Sequence, residues 1–318
     1  MSGDPPFVGI PTFLKLPLIE TREQLGEERP DAVVVGAPFD TGTTNRPGAR
    51  YGPRAIRAAS NLGRTAHHLE LGVQPTRVLR LFDYGDAAVV PGDIERSHAA
   101  IKAKVSDVVS TGALPLLLGG DHSVLFPSAS AVAEAIGVGR VGIIHFDAHA
   151  DAAADEWGVL YGHGTPVRRL IESGAIPAKS FVQIGLRGYW PPPDVLDWMR
   201  AQGMRWHLME EIESRGLEVV LGEAIEQALD GPDCLYVSVD VDVLDPAFAP
   251  GTGTPEPGGL TSRQLLTAVR RIALETPVVG LDVVEVAPAY DGPGAITAEV
   301  AHRTVLEVLS ALARKRQA

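Results

Sequence analysis

The sequence predicts an α/β protein with a mostly parallel, doubly wound sheet and helices on both faces. Seven short apolar runs, several of them rich in β-branched residues, have the length of strands buried on both sides. Segments with helical periodicity lie between most of these runs, and this alternation is typical of parallel sheets. No linker, repeat or low-complexity tract divides the 318 residues, so we expect a single domain over residues 31–318.

The individual elements follow in chain order. Residues 1–30 contain Pro and Glu with weak periodicity, which predicts an N-terminal arm. The predicted strands are Ala32–Gly36, Val78–Phe82, Leu114–Leu118, Val141–Phe146, Phe181–Ile184, Cys234–Val239 and Val278–Leu281. The predicted helices are Pro53–Leu62, Asp93–Ser110, Ser123–Ile136, Val219–Leu229, Ser262–Leu274 and Thr297–Lys315. Right-handed crossovers place all strand carboxyl ends at one edge of the sheet, where such folds bind their ligands.

The composition narrows the class of partner. The chain has 40 acidic residues against 28 Lys plus Arg, a formal charge of −12. This balance argues against nucleic acid and anionic membranes, and it favours a cationic small molecule or a bound metal. Cys234 is the only cysteine, so no disulfide forms within the chain. Neither a signal peptide nor a run of ~18 apolar residues is visible, and we expect a cytoplasmic protein.

An acid–imidazole cluster follows the strand Val141–Phe146. Alternate side chains of an extended segment share a face, so Asp147, His149 and Asp151 can point the same way. Three such groups at the end of a buried strand are unfavourable unless a cation neutralises them. This stretch therefore predicts a metal site.

Three further strands also end in polar residues. These are Asp121 and His122, then Asp240, Asp242 and Asp245, and finally Asp282 and Glu285. Each has an ordinary explanation by itself: His122 can cap a helix, and Glu285 can pair with an arginine. Gathered at one edge without a cation, however, these groups would repel each other and lose several kcal/mol apiece in desolvation.

The ligand types narrow the choice of metal. Carboxylates with two imidazoles and no thiolate suit Mn, Fe, Co or Ni, and also admit Zn. Asp147 and Asp240 can bridge two ions ~3.5 Å apart, a spacing that clamps a hydroxide nucleophile. Four aspartates balance two divalent ions, and the hydroxide leaves about one negative charge for a cationic substrate. This count favours a guanidinium over a phosphate.

At this point five motifs resemble the ureohydrolase family, which includes arginase, agmatinase, guanidinobutyrase and proclavaminate amidinohydrolase. The motifs are Gly36–Asp40, Gly119–Ser123, Phe146–Asp151, Ser238–Asp242 with its continuation to Pro255, and Asp282–Pro288. The resemblance extends from about residue 30 to the carboxyl terminus. It implies a three-layer α/β/α arginase-like fold, a ureohydrolase catalytic domain over residues 31–318, two Mn²⁺ ions per chain and a homo-oligomer, either a trimer or a hexamer.

The resemblance also implies a role for each motif residue. One ion would be held by His122, Asp147, Asp151 and Asp240, and the other by Asp147, His149, Asp240 and Asp242. Glu285 would bind the substrate guanidinium as a charge-assisted pair, and His163 would lie near the scissile group. Water activated between the ions would attack the guanidinium carbon, and Asp151 would pass a proton to the leaving amine. The products would be urea and an amine.

The residues after Asp151 bear on the tail of the substrate. Arginase has a polar, Asn-containing stretch there, whereas this chain has Ala152–Trp157, which argues against arginine. Asp155 or Glu156 facing a distal ammonium would favour agmatine, with putrescine as product. Arg187 facing a carboxylate would instead favour 4-guanidinobutanoate or a related guanidino acid, including proclavaminate-type amidino hydrolysis. The acids can equally be solvent-facing, and Arg187 can equally be structural.

Two other classes fit the sequence less well. A binuclear phosphohydrolase would need basic residues around its phosphate, and only Arg46–Arg57 is rich in arginine. A non-catalytic homologue would have no need for both metal sets, His163 and Glu285. The sequence thus favours an agmatinase-like amidinohydrolase.

Overall fold

A computed structural model describes residues 7–59 and 62–318. Within those ranges, eight strands form one sheet in the order β2-β1-β3-β8-β7-β4-β5-β6, and every pairing is parallel. The strands are β1 Ala32–Gly36, β2 Leu81–Asp86, β3 Leu114–Leu118, β4 Val141–Phe146, β5 Phe181–Leu186, β6 Arg205–Leu208, β7 Cys234–Asp240 and β8 Val278–Val284.

Helices cover both faces of this sheet. They are α1 Arg22–Glu28, α2 Gly52–Ala58, α3 Pro75–Val78, α4 Ile94–Ser110, α5 Leu125–Ile136, α6 Pro166–Glu172, α7 Pro193–Gln202, α8 Met209–Arg215, α9 Leu217–Ala228, α10 Ser262–Glu275 and α11 Ile296–Gln317. The predicted three-layer α/β/α architecture is confirmed.

The hydrophobic core is divided by the sheet into two clusters. Val34 of β1 packs in one cluster with residues of α9, α10 and α11, whereas its neighbours Val33 and Val35 pack in the other with residues of α4 and α5. Because both faces are covered, successive strand residues are all buried. This is why the strands are continuous apolar runs in the sequence rather than alternating ones.

The observed β5, β7 and β8 end at Leu186, Asp240 and Val284, beyond their predicted ends, and two larger differences concern β2 and β6. The predicted strand Val78–Phe82 is shifted, because Pro75 begins a short helix and β2 starts only at Leu81. The prediction missed β6 altogether. It lies at the sheet edge and has a single buried residue, His207, so it carries no apolar run.

The predicted N-terminal arm lies partly outside the described residues, since these begin at residue 7. Phe13 and Leu14 are buried in one core cluster and Leu25 in the other. The described part of this segment therefore packs on the sheet, and the division at residue 30 stays a prediction. No helix in residues 7–59 or 62–318 is both long and apolar enough to cross a membrane.

Candidate metal centre

The sheet order brings the predicted polar strand ends together. The strands β3, β8, β7 and β4 are consecutive neighbours, and these are the four strands whose polar ends the sequence analysis selected. At the end of β3 the chain passes so close to Phe39 that a Cβ on Gly120 would lie 1.7 Å from the Phe39 carbonyl oxygen. Only glycine fits there, and it lets the chain turn so that His122 enters the cluster.

The first group of side chains surrounds the His122 ring. Its Nδ1 lies 3.0 Å from Asp147 Oδ2, 3.1 Å from Asp151 Oδ2 and 3.2 Å from Asp240 Oδ2. All four side chains are buried or nearly so. The structure thus brings together the four residues that the sequence assigned to one ion.

The second group lies on the other side of Asp147. His149 Nδ1 is 3.0 Å from Asp242 Oδ2 and 3.6 Å from Asp147 Oδ1. The two carboxylate oxygens of Asp147 therefore face one group each, as those of a bridging ligand would. Asp240 directs Oδ2 to the first group, while its Oδ1 accepts a hydrogen bond from the Asp242 backbone N–H.

The donor set fits divalent cations. Burial alone lowers the pKa of His122, but the three surrounding aspartates raise it well above its ordinary value. Burial and the neighbouring charges of Asp242 and Asp147 raise the pKa of Asp240. His122 Nδ1 and Asp147 Oδ2 are nevertheless buried without a well-formed hydrogen bond. Unsatisfied lone pairs in an acidic pocket match what divalent ions of the Mn-to-Zn series require.

His145 is a further member of the cluster that the sequence analysis did not include. Its ring stacks on that of His122 at a centroid distance of 4.8 Å, and its Nε2 lies 3.3 Å from Asp147 Oδ2. Burial lowers the pKa of His145 to about 3. The alternation of β4 could have identified it, because residues 145 and 147 share a face of the strand.

A buried hydrogen-bond chain supports His122 from behind. Its Nε2 lies 2.9 Å from Ser238 Oγ, and Ser238 donates to Asp282 Oδ1 at 2.6 Å. Tyr236 donates to the other oxygen of Asp282 at 2.8 Å. Ser238 and Asp282 are paired in the register of β7 and β8. Asp282, expected among the strand-end acids, therefore lies behind the cluster instead of within it.

Glu285 and His163 form the adjoining side of the site. Glu285 Oε1 accepts from the His122 backbone N–H at 2.9 Å and lies 3.0 Å from His163 Nδ1. Its other oxygen, Oε2, is buried without a partner. Thr44 donates its backbone N–H to His163 Nε2 at 3.2 Å, which leaves the ring proton on Nδ1, facing Glu285. Glu285 thus keeps one oxygen available to a donor from a ligand.

Two of these residues have strained backbones. Asp151 has φ 51° and Glu285 has φ 64°, both in the left-handed region that non-glycine residues rarely adopt. Such a conformation costs on the order of 1–3 kcal/mol and concentrates at functional sites. The strain falls on a carboxylate of the first group and on the carboxylate with the free oxygen.

The candidate substrate residues in the loops are placed less uniformly. Asp155 is exposed, and its Oδ1 accepts from the Gly158 backbone N–H. Glu156 is half-buried instead, with Oε1 3.8 Å from His163 Nε2 and Oε2 bound to the Gly164 backbone N–H. Burial raises the pKa of Glu156. Of the two acids, it is Glu156 that lies beside His163.

The side chain of Arg187 is held by backbone carbonyl groups. Its Nη2 donates to the carbonyl oxygens of Asp242, Leu244 and Glu256, and its Nη1 and Nε donate to three more. A guanidinium with its donors occupied in this way has little capacity left for a carboxylate. These contacts favour the structural alternative, in which Arg187 orders the loop after β7 that carries Asp242, and substrate binding by Arg187 stays a prediction.

Known proteins similar to this chain match it over nearly its whole length. The arginase family profile matches residues 30–310. A guanidinopropionase of Pseudomonas aeruginosa is 45% identical over 97% of this chain and 93% of its own length. A mitochondrial agmatinase of Gallus gallus is 42% identical over 90% and 81%.

Solved structures of guanidino and amidino hydrolases also match the chain. Proclavaminate amidinohydrolase of Streptomyces clavuligerus superposes with a TM-score of 0.86 at 38% identity, over 98% of this chain and 99% of that one. A Trypanosoma cruzi formiminoglutamase, solved with Mn²⁺, gives a TM-score of 0.82 at 26% identity, over 96% and 99%. The chain therefore belongs to the arginase family, whose members hydrolyse guanidino and amidino compounds at a binuclear metal centre.

Proposed function

We propose that this chain hydrolyses agmatine to urea and putrescine with two bound Mn²⁺ ions. The observation that carries the metal part is the position of Asp147, whose two oxygens face the His122 group and the His149 group respectively. Carboxylates and two imidazoles without a thiolate suit Mn²⁺, and they also suit Co, Ni, Fe or Zn. A pair of such ions supplies Lewis acidity and an activated water molecule.

The proposed ligands are those given by the family resemblance. They are His122, Asp147, Asp151 and Asp240 for one ion, and Asp147, His149, Asp240 and Asp242 for the other. Asp151 is also the proposed proton carrier to the leaving amine. Its left-handed backbone and partial exposure, at 11% of the side chain, support this second role because they set it at the edge of the cluster.

Glu285 is the proposed anchor for the guanidinium head. Its Oε2 is buried and unpartnered, and a buried carboxylate oxygen in that state is a strong acceptor for a cationic N–H. His163 holds the opposite oxygen of Glu285 at 3.0 Å, so it fixes the direction in which Oε2 points. The head is thereby oriented towards the ligand cluster, since Glu285 also accepts from the His122 backbone.

Glu156 supports agmatine as the substrate. It lies on the far side of His163 from Glu285, 3.8 Å from the ring, where the tail of a bound guanidine would pass. A half-buried carboxylate there favours the distal ammonium of agmatine over a carboxylate tail. Guanidino acids are the second candidate, because a relative named guanidinopropionase shares 45% identity with this chain.

Urea release from a panel of guanidines tests the proposal. With Mn²⁺ supplied, the substrates are agmatine, 4-guanidinobutanoate, 3-guanidinopropanoate and arginine, and we expect the highest kcat/KM for agmatine. Glu156→Gln should lower kcat/KM for agmatine by about tenfold, the loss of one partly buried charge pair worth about 1.4 kcal/mol. It should raise kcat/KM for 4-guanidinobutanoate, because the repulsion of its carboxylate tail is removed. Asp155→Asn is the matched control. Faster hydrolysis of either guanidino acid than of agmatine would show that agmatine is not the preferred substrate, and the proposed type of reaction would remain.

We further propose that the chain forms a homo-oligomer, a trimer or a hexamer, as the family resemblance implies, and that it works in the cytoplasm, as expected from the sequence. Size-exclusion chromatography with light scattering tests the assembly. A monomer at micromolar concentration would contradict it.

A further inference from the structure

His145 and Gln183 form a buried pair next to the candidate bridging carboxylate. The two residues face each other in the register of β4 and β5, and both side chains are fully buried. Gln183 Nε2 lies 3.1 Å from His145 Nδ1 and 2.8 Å from the Ala150 carbonyl oxygen. On the other side of the ring, Nε2 lies 3.3 Å from Asp147 Oδ2.

The Ala150 carbonyl determines how the Gln183 amide is oriented. A carbonyl oxygen only accepts, so the group 2.8 Å from it must be the NH₂ of the amide. The reverse orientation would place two carbonyl oxygens at that distance. The same NH₂ then donates its second proton to His145 Nδ1, which must be an unprotonated acceptor. The ring of His145 therefore carries its proton on Nε2.

This tautomer decides what His145 offers to the cluster. An Nε2–H cannot be a metal ligand, because its lone pair is used by the proton. It can donate, and the nearest acceptor is Asp147 Oδ2, itself buried without a well-formed hydrogen bond. Neither atom has a well-formed hydrogen bond elsewhere, so each is the available partner of the other at 3.3 Å.

We infer that His145 is a positioning residue that donates from Nε2 to the bridging carboxylate of Asp147, and that Gln183 locks the ring in the tautomer this requires. The inference rests on the proposed two-ion site. Distance alone would also admit His145 as a ligand, because it lies within reach of His122, Asp147 and Asp151. The orientation of the Gln183 amide excludes that role.

Metal binding by variants separates a positioning role from a ligand role. His145→Phe keeps the stacked ring but removes the donor, so the chain should still take up two ions, with affinity for Mn²⁺ reduced 10–100-fold. Gln183→Met should weaken binding in the same direction but less. His302→Phe is the matched control, since His302 is also buried, stacked on Phe13 at 4.4 Å, and has an unpartnered Nε2.

A second readout observes the tautomer directly. The measurement is an NMR spectrum of the Zn²⁺-loaded full chain with ¹⁵N-labelled histidine. The His145 resonances are those that disappear in His145→Phe, and in the wild-type spectrum they should show a proton on Nε2 and none on Nδ1. In Gln183→Met the same ring should show a mixture of tautomers. A proton on Nδ1 with Nε2 bound to metal would overturn the inference, as would one ion per chain in His145→Phe or unchanged affinity in both variants. A wild-type chain that takes up fewer than two ions would overturn the proposed metal centre, and this inference with it.

Discussion

Ser238→Ala should weaken the first metal site without touching any proposed ligand. The Ser238 hydroxyl has one proton and donates it to Asp282 Oδ1 at 2.6 Å. It must therefore accept from His122 Nε2, which lies 2.9 Å away. This contact keeps one His122 proton on Nε2, so Nδ1, among the three carboxylate oxygens, is the nitrogen that a metal ion can take once its own proton has left.

The structure gives the size of the effect. Ser238→Ala leaves a buried N–H without an acceptor, and it removes one of the two side-chain donors to Asp282. Each unsatisfied buried group costs about 1–3 kcal/mol, which sets the expected loss of folding free energy. The loss of a partner behind a metal-binding histidine typically lowers metal affinity 10–100-fold. That factor corresponds to about 1.4–2.7 kcal/mol in binding.

Two measurements separate these effects. Urea denaturation of the metal-free chain gives the loss in stability, and Mn²⁺ titration calorimetry gives the loss in affinity. Tyr236→Phe is the control, because it removes the other donor to Asp282, at 2.8 Å, and leaves the His122 contact intact. It should lower stability to a similar extent with a smaller change in Mn²⁺ affinity. Equal affinities for the two variants would refute the reasoning.

Three further predictions concern the substrate, the metal and the core. Glu285→Gln should raise KM and lower kcat for agmatine while two Mn²⁺ remain bound, because it removes the negative charge of the side chain but keeps its shape. Steady-state kinetics with metal analysis test this, and an unchanged rate would refute the guanidinium role of Glu285. Mn²⁺ affinity should rise with pH. Neighbouring carboxylates raise the pKa values of His122 and His149 despite burial, and the protons of these rings must leave when ions bind. Mn²⁺ titrations at successive pH values test the direction of the change, and an affinity independent of pH would contradict the prediction. Arg57→Met should destabilise the fold by about 3–5 kcal/mol, because Arg57 pairs bidentately with buried Asp83. Urea denaturation measures this loss. The control is Arg200→Met, which removes an exposed pair with Asp197 and should cost under about 1 kcal/mol.

The strand ends that carry the proposed metal ligands could be predicted from sequence, and the family resemblance then assigned the ligand sets. The runs at β3 and β4 match the observed strands residue for residue, so the residue at which each strand ends is known. Parallel topology then places those ends at one edge. The distances of 3.0–3.2 Å around His122 agree with the expectation that these side chains lie close together. Local pattern and global topology agree at these positions, and the turn at Gly120 and the left-handed backbone of Asp151 complete the arrangement.

The loop residues could not be predicted in the same way. Asp155 and Glu156 are adjacent acids with similar chemistry, and only the Gly164 backbone N–H, eight residues away, distinguishes the one that turns inward. Arg187 follows a strand as the ligands do, yet its donors are claimed by carbonyls around residues 242–257, more than fifty residues along the chain. A sequence pattern contains no information about such long-range partners.

Asp282 and Glu285 show why even a strand end leaves one question open. Both follow the apolar start of β8, and both were expected at the same edge. Asp282 is still within the strand, so its direction is fixed by register, and it lies opposite Ser238 behind His122. Glu285 is the first residue beyond the strand, and its left-handed φ of 64° turns the side chain towards His163. Asp282, which supports the proposed ligand His122, and Glu285, which is proposed to bind the substrate, are therefore only three positions apart in the chain. The left-handed φ of Glu285, one residue beyond the strand, therefore accounts for the different direction of its side chain.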